Sequence, residues 1–505
     1  MRRTGEAFEG STITVDAPQI DEHRVTFSWK VEPPSLLYER TTFYLQFPYE
    51  INCRTIPDRL WWIVAFICLH SHWVLLRPCR IIVPIVLLEG ESEFWLRLMD
   101  SEIITLEAYR GTLFLDRCIE IIEGDTALPQ LVPMADRRIC ASSFSGGKDS
   151  LLQAALLNEL VDDLMLVTTT SPMAPFEDHI TTRRRYVLNE VRKRLGVRLI
   201  EITSNYRELW NNGFASRRGY PLSVSEMSDT FLYFASLLIS AVALGATHLF
   251  LASEAEVQVN AASEGGVVQA THFMYSTITQ QALQALLGPL GISYCSLTSP
   301  LHNSQVQRLL WRRYTAVCDL QYSCWLVKAD EAACSACSQC LRMAMGALEA
   351  GGDPERIGID LSKVFRATRD WKPKRLGPGQ TLPDDRIRVD LSRQMVYNVR
   401  SVSTWRLLTT LLQRGIRNFF TQDTWHALAG YTHLRLRVAS YPPTNRPGYR
   451  AGFLRLVDEL CRERAAEIFA ANFDEEPTSA YDPILERNAE VVEYIREPLL
   501  RKSQR

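Results

Sequence analysis

Six consecutive residues, Ser145-Gly146-Gly147-Lys148-Asp149-Ser150, hold the densest chemistry in this chain. They stand between an apolar run from Ile139 to Phe144, which reads as a buried strand, and Leu151 to Leu160, which reads as a helix. A strand, a Ser-Gly-Gly turn and a helix together make a pocket for phosphates. Glycine has no Cβ and lets the backbone come close to a ligand. The first N–H groups of a helix have no intrahelical partner and point at whatever sits before them. Ser145 and Ser150 add hydroxyl donors, and Asp149 can hold a Mg2+ that bridges phosphate oxygens. The charge of Lys148 could offset the phosphates or face solvent. The spacing excludes a Walker-type loop, because Asp149 follows Gly147-Lys148 where Ser or Thr is needed and no glycine occupies position 142.

A second cluster lies later, where Cys324 precedes Cys334, Cys337 and Cys340. Four thiolates at this spacing can close a tetrahedral structural zinc site, which leaves no open position for chemistry. An iron–sulfur cluster and buried thiols without metal are the competing readings. Cys53, Cys68, Cys79, Cys118, Cys140, Cys295, Cys318 and Cys461 are scattered and are expected in the core.

The elements that must position these residues follow from periodicity. After the first loop and helix come a strand at Leu164 to Thr169, a helix from Ile180 to Leu195, a strand at Val197 to Ile202, a helix from Thr230 to Leu244 and a strand at Thr247 to Ala252. Strands spaced by helices imply an α/β fold with a parallel sheet, whose ligands sit at the carboxyl ends of the strands. The Ser-Gly-Gly turn, Thr168 to Ser171 and Ser253 to Gln258 are therefore expected to converge. Before this core, residues 1–135 read as an α+β or β-rich accessory domain, with strands at Thr12–Val15, Arg24–Trp29, Thr42–Phe47, a run ending at Leu88 and a candidate at Thr112–Leu115. The core occupies 136–365, a Pro- and Gly-rich linker 366–385, and a mostly helical region 386–505, with helical periodicity in Trp405–Leu412 and Phe453–Phe469.

The chain has 505 residues, 46% hydrophobic and 23% charged, with a net charge of −2, so it is no general nucleic-acid binder. Its basic runs, Arg183-Arg184-Arg185 among them, read as solvated helix faces. The charge-free run Leu60 to Leu76 includes His70, Ser71 and His72 and reads as a buried helix, not a membrane span. Met1-Arg2-Arg3 is followed by polar residues and not by an apolar signal core; with the metal-like cysteine spacing, this gives a cytoplasmic expectation.

The hexapeptide matches the Ser-Gly-Gly-x-Asp-Ser signature of the PP-loop ATP pyrophosphatases, enzymes that split ATP into AMP and pyrophosphate to activate a carboxylate or carbonyl oxygen. Loop and cysteines together resemble one family, the 7-cyano-7-deazaguanine synthases. The matching residues are the loop, Pro300-Leu301 before a helix, Ser323-Cys324, then Cys334, Cys337, Cys340 and Arg342, covering about residues 138 to 350. The resemblance implies a Rossmann-like PP-loop sheet that binds ATP, Mg2+ and structural Zn2+. It implies that ATP adenylates the carboxylate of 7-carboxy-7-deazaguanine, that ammonia gives the amide, and that a second ATP-driven step gives the nitrile. Carried over, Ser145, Gly146, Gly147 and Ser150 would hold the pyrophosphate, Asp149 the Mg2+, and the four cysteines zinc. Ser143 and Thr169, at strand ends, would complete the ATP-binding set, with Ser145, Lys148, Asp149 and Ser150 as the catalytic group.

The substrate side departs from that family. The housekeeping enzymes carry Pro-Gly-Arg-Asn before their long helix, where this chain reads Ser225-Glu226-Met227-Ser228-Asp229-Thr230. They carry Tyr-Pro-Asp-Cys-Arg after the next strand, and Glu254 to Thr271 contains nothing like it. An intact loop with an altered substrate side looks like the deazaguanine-synthase-like proteins of bacterial anti-phage defence operons of the Qat and CBASS types. That likeness implies adenylation of a deazaguanine-like carboxylate. The intact loop and the added regions before 135 and after 370 motivate the further expectation that the acyl group goes to an amine other than ammonia, on an operon partner protein, with a homo-oligomer also open. By position, Glu254, Glu256, Gln258 and His272 are the candidate substrate residues, with Tyr275 nearby; acids there could pair with the N–H edge of a deazaguanine or simply lie in water. Two rivals remain: a PP-loop tRNA-modifying enzyme, which predicts a basic face, and a non-catalytic nucleotide-binding subunit of a defence complex.

Overall fold

The computed structural model describes residues 10–110, 118–171, 177–211, 213, 224–255, 273–322, 324, 332–369, 393–413, 421–439, 448–480 and 482–501. The chain begins with β1 (Ser11–Val15), β2 (Gln19–Ile20), β3 (Arg24–Glu32) and β4 (Thr42–Gln46), then α1 (Asp58–Leu75), β5 (Cys79–Ile85), α2 (Glu91–Arg110) and β6 (Ile119–Thr126). The parallel core follows as β7 (Cys140–Ser143), α3 (Lys148–Leu160), β8 (Leu164–Thr170), α4 (Glu177–Leu195), β9 (Arg198–Thr203), α5 (Val224–Leu244), β10 (His248–Phe250), α6 (Thr277–Leu287) and β11 (Ser293–Cys295). Then come α7 (Asn303–Arg312), α8 (Ser338–Ala350), α9 (Leu361–Arg369), α10 (Arg393–Ser401), α11 (Thr404–Gln413), α12 (Gln422–Ala439), α13 (Glu459–Asn472) and α14 (Asp482–Leu500).

Among the described residues the strands form one mixed, mostly parallel sheet of 11 strands in the order β11-β10-β7-β8-β9-β4-β3-β1-β5-β6, with β2 beside β3. From β11 to β9 every pairing is parallel. Counted along the chain, these five strands stand in the order 3-2-1-4-5 read from β9 to β11, the order of doubly wound α/β sheets. The winding reverses between β7 and β10, which opens a crevice at their carboxyl ends. The outer edge of β9 takes β4 antiparallel, Gln46 opposite Thr203, so the sheet runs on into the first 135 residues.

Burial explains why the core strands read as continuous apolar runs. Along β8, Met165 and Val167 enter one hydrophobic core with α1, α2 and α5, whereas Leu164 and Leu166 enter another with α3, α4 and α7. Alternate side chains point to opposite faces of a strand, so both faces of this sheet are covered. The α1 helix is apolar all round because nearly every residue from Arg59 to Val74 is buried; this is the helix expected at Leu60–Leu76, and no described helix is long and apolar enough to cross a membrane.

Several expectations are corrected. The run Phe453–Phe469 is not one helix: a 3₁₀ turn, Ala451–Leu456, is followed by α13. The break lies at Asp458, whose side chain caps the new helix by accepting from Leu460 N at 2.8 Å. Residues 366–369, placed in the linker, belong to α9, and the rest of 366–385 lies outside the described residues. Cys118 is exposed, not a core residue. Thr112–Leu115 lies outside the described residues.

Candidate functional site

The hexapeptide sits where the topology places a ligand, between the carboxyl end of β7 and the start of α3. Gly146 has φ +85°, the left-handed region in which an L side chain is strained. Gly147 is the N-cap of α3 and offers no side chain to the free amides of the first turn. The two serines close the loop on itself: Ser145 Oγ lies 3.2 Å from Ser150 Oγ and accepts from Gly147 N at 3.3 Å. Ser150 Oγ in turn donates to the Gly147 carbonyl at 3.0 Å. Ser145 is exposed and Gly147 half-buried, so the turn faces outward. Ser143 and Thr169, at the ends of β7 and β8, flank it, the first half-buried and the second buried.

Lys148 does not face solvent, nor is it free for phosphates. Its side chain is 5% exposed, and Nζ donates to both oxygens of Asp149, at 2.8 and 2.7 Å, and to Glu254 Oε2 at 2.9 Å. Glu254 follows β10, so this one ammonium ties together the two strands that flank the crevice. Its pKa is held above the usual lysine value: the two carboxylates outweigh the opposing effect of burial. Asp149 is pushed up to about 7, first by burial and then by the charge of Glu254. Against burial, Lys148 holds Glu254 below the carboxylate range, and Arg342 of α8 contributes to this. Of the two acids, Glu254 is the deeper, with 8% of its side chain exposed against 29% for Asp149. Asp149 therefore forms the one corner of the cluster that a cation could reach.

Around this corner stand residues that sequence reasoning passed over. Arg184, read as part of a solvated helix face, reaches from α4 to Thr168 Oγ1 at 2.7 Å, at the carboxyl end of β8. Asp229, on α5, pairs with Arg207 Nε at 2.9 Å, and Arg207 also hydrogen bonds to the Tyr233 hydroxyl. Burial raises the Tyr275 phenol to about 12, and the charges of Asp229 and Asp149 act in the same direction. The available signal was helical spacing: Asp229 and Tyr233 are four residues apart and share a face of α5. Of the substrate candidates, the structure brings Glu254 and Tyr275 to this region. Glu256, Gln258 and His272 lie outside the described residues.

The four cysteines do come together, with all four sulfurs within 4.8 Å of one another. Cys337 Sγ lies 3.5 Å and Cys334 Sγ 3.8 Å from Cys340 Sγ. A tetrahedron with metal–sulfur bonds of about 2.3 Å has edges of roughly 3.8 Å, so the donor set fits a structural zinc. Backbone N–H groups already serve the sulfurs, from Cys334 to Cys324 at 3.3 Å and from Cys340 to Cys337 at 3.4 Å. Cys337 caps α8, and a hydrogen bond from Cys324 lowers its thiol to about 7.

This centre is joined to the loop. Tyr322, two residues before Cys324, donates its backbone N–H to the Gly146 carbonyl at 2.8 Å. Arg342, which follows the last cysteine, lies within electrostatic reach of Glu254. The C-terminal region braces the other side: Arg450 Nη1 donates to the Ala255 carbonyl at 3.4 Å, while its Nε binds Glu476 at 2.8 Å. His302 also meets Glu476, at 3.0 Å, and these two partners overcome burial to pull that carboxyl down to about 2. Against models of known protein families and against curated proteins, the chain matches none.

Proposed function

We propose that this chain is a PP-loop ATP pyrophosphatase that adenylates a deazaguanine-type carboxylate and passes the acyl group to an amine. The observation that carries this reading is the half-open ion-pair cluster Asp149–Lys148–Glu254 beside a serine-glycine turn whose helix amides have no side-chain cap. Such a turn suits a leaving pyrophosphate: the first N–H groups of α3 are fixed before reaction and face the place where negative charge would develop. Asp149 would hold Mg2+, which when bound offsets charge on the phosphate oxygens. Lys148 keeps Glu254 against the loop, and Arg184 adds a fixed cation at the end of β8. Asp229 supplies a carboxylate that can accept paired N–H groups from the guanidine-like edge of a deazaguanine. No protein nucleophile is required, because the acyl-adenylate is itself the activated species; the site has to align the carboxylate with the α-phosphorus. Zinc at the four cysteines would hold the Tyr322–Gly146 link and Arg342 in place and would do no chemistry.

The test is pyrophosphate release from Mg·ATP with and without 7-carboxy-7-deazaguanine, using Asp149→Ala as control. Release that needs both the carboxylate and Asp149 is the expected result. Nucleotide binding without release in zinc-loaded protein would instead support a nucleotide-binding subunit. For the acceptor, the resemblance to defence-operon proteins and the altered substrate side motivate a partner protein as amine donor. Intact-mass analysis of an operon partner, incubated with this chain, ATP and the carboxylate, should then show a gain equal to the acyl group; an unchanged partner mass with active protein overturns that assignment.

A further inference from the structure

The opposite edge of the same sheet holds a cavity of about 710 Å³, within the roughly 300–1,000 Å³ common for small-molecule sites. It opens at the amino ends of the core strands, so the sheet separates it from the Ser-Gly-Gly turn. Its lining includes His248 and Ser293, the first residues of β10 and β11, and the segment from Arg455 to Arg462 that precedes and opens α13.

The charges lining it are unequally committed. Asp136 accepts from Arg138 N at 2.8 Å, from Thr247 Oγ1 at 3.1 Å and from His248 Nε2 at 3.2 Å. Asp458 accepts from Leu460 N and meets His248 Nδ1, each at 2.8 Å. Arg462 donates to the Val457 carbonyl at 3.1 and 2.9 Å and approaches Glu459 at 3.9 Å. Both aspartates are thus occupied within the wall. The guanidinium groups of Arg138 and Arg455, by contrast, make no ion pair or hydrogen bond with any described residue, though both line the cavity. Gln280 and Gln281 each donate one side-chain N–H, to the carbonyls of Leu456 and Thr277, which orients their amides and leaves the carbonyl oxygens able to accept N–H groups.

We propose that this cavity binds a phosphate-bearing small molecule of nucleotide size, with Arg138 and Arg455 on the phosphate and the glutamine carbonyls on the organic part. Guanidinium forks match phosphate oxygens in pairs, and the volume holds more than a bare anion. The site is separate from the proposed catalytic loop and does not depend on that loop's function.

Equilibrium dialysis with labelled ADP and, separately, labelled pyrophosphate tests it on the full chain. The double variant Arg138→Ala/Arg455→Ala alters two exposed side chains and leaves the core intact. It should lose one class of bound ligand or weaken it by at least about tenfold, and Arg138→Lys/Arg455→Lys should retain part of it. Ser150→Ala should keep this class, which separates it from binding at the loop. Loss of ADP alone means that the nucleoside is read as well; loss of both probes means that the phosphate suffices. Identical isotherms for wild type and the alanine pair, with both probes, overturn the proposal.

Discussion

Two buried polar clusters stand in different halves of this sheet, and they handle charge in opposite ways. In the N-terminal half, His70 and Ser71 of α1 meet Glu102 of α2, with Ser71 Oγ 3.0 Å and His70 Nε2 3.7 Å from Glu102 Oε2. Both ionisable side chains are essentially sealed, at 0% and 2% exposure. Burial lowers His70 to about 4 and raises Glu102 to about 8, so near neutral pH neither is charged. In the other half, Lys148 keeps its charge between two carboxylates, and one of them, Asp149, reaches the surface. A sealed cluster discharges itself and becomes packing. A cluster with one open corner, at the carboxyl edge of a parallel sheet, keeps its Lys148–Glu254 pair charged and leaves Asp149, raised to about 7, where a bound cation would ionise it. Polar residues inside the protein thus do not by themselves mark a site; retained charge with a route to solvent does.

The largest test of this contrast is Lys148→Met. It removes the cation and leaves Asp149 and Glu254 facing each other, which should cost about 3 kcal/mol in denaturation and lower pyrophosphate release on the order of 100-fold or more. Full release by this variant would erase the distinction between the clusters. Next comes Cys337→Ser, which attacks the bracing. Bound zinc should fall from about one equivalent per chain to none, and pyrophosphate release should fall with it, because Cys324 and Gly146 are linked through Tyr322. Metal analysis with the activity assay reads both; full activity without metal would show that the four-cysteine centre does not support the loop.

How much of this was legible beforehand depended on whether the signal was local. The strand–turn–helix around Ser145-Gly146-Gly147 and the cysteine spacing are short-range patterns, and β7, α3 and the sulfur cluster stand where those patterns put them. The bond from Lys148 to Glu254 joins residues 106 apart, and no periodicity encodes that. Arg184 looked like surface because its neighbours are arginines; its contact with Thr168 depends on how α4 crosses β8. The break at Asp458 was hidden inside an apolar pattern that continues on both sides, since a cap is a property of one residue's geometry. The continuation of the sheet from β9 into β4 rests on one edge pairing between distant segments, which each segment's own alternation does not reveal.

Smaller effects should sharpen the comparison through pH. Glu102 is raised from its unfolded value to about 8, so its contribution to stability is complete below its unfolded value near 4.5 and is lost as pH rises through 8. Relative to wild type, Glu102→Gln should remove this loss while keeping an acceptor for Ser71. The stability difference should change by up to about 1.4 kcal/mol per pH unit between those values, in favour of the variant. Parallel curves in urea denaturation from pH 5 to 8 would mean that Glu102 is ionised in place and the cluster is not self-discharging.

His248 is the intermediate case and carries the smallest effect. Its side chain is 15% exposed, and Asp458 first, then Asp136, raises it above the ordinary imidazole value. Its contribution to stability is therefore full below the unfolded value of about 6.5 and is lost as pH rises through the raised one. His248→Asn should cost up to about 1 kcal/mol at pH 6 and less at pH 8. Because Asp458 caps α13 while it holds His248, the loss should appear as fraying of that helix, read by hydrogen exchange at its first amides. Equal protection factors at both pH values, once the faster intrinsic exchange at pH 8 is divided out, would show that His248 carries no charge at either; protection that falls as pH rises places it with the clusters that keep their charge.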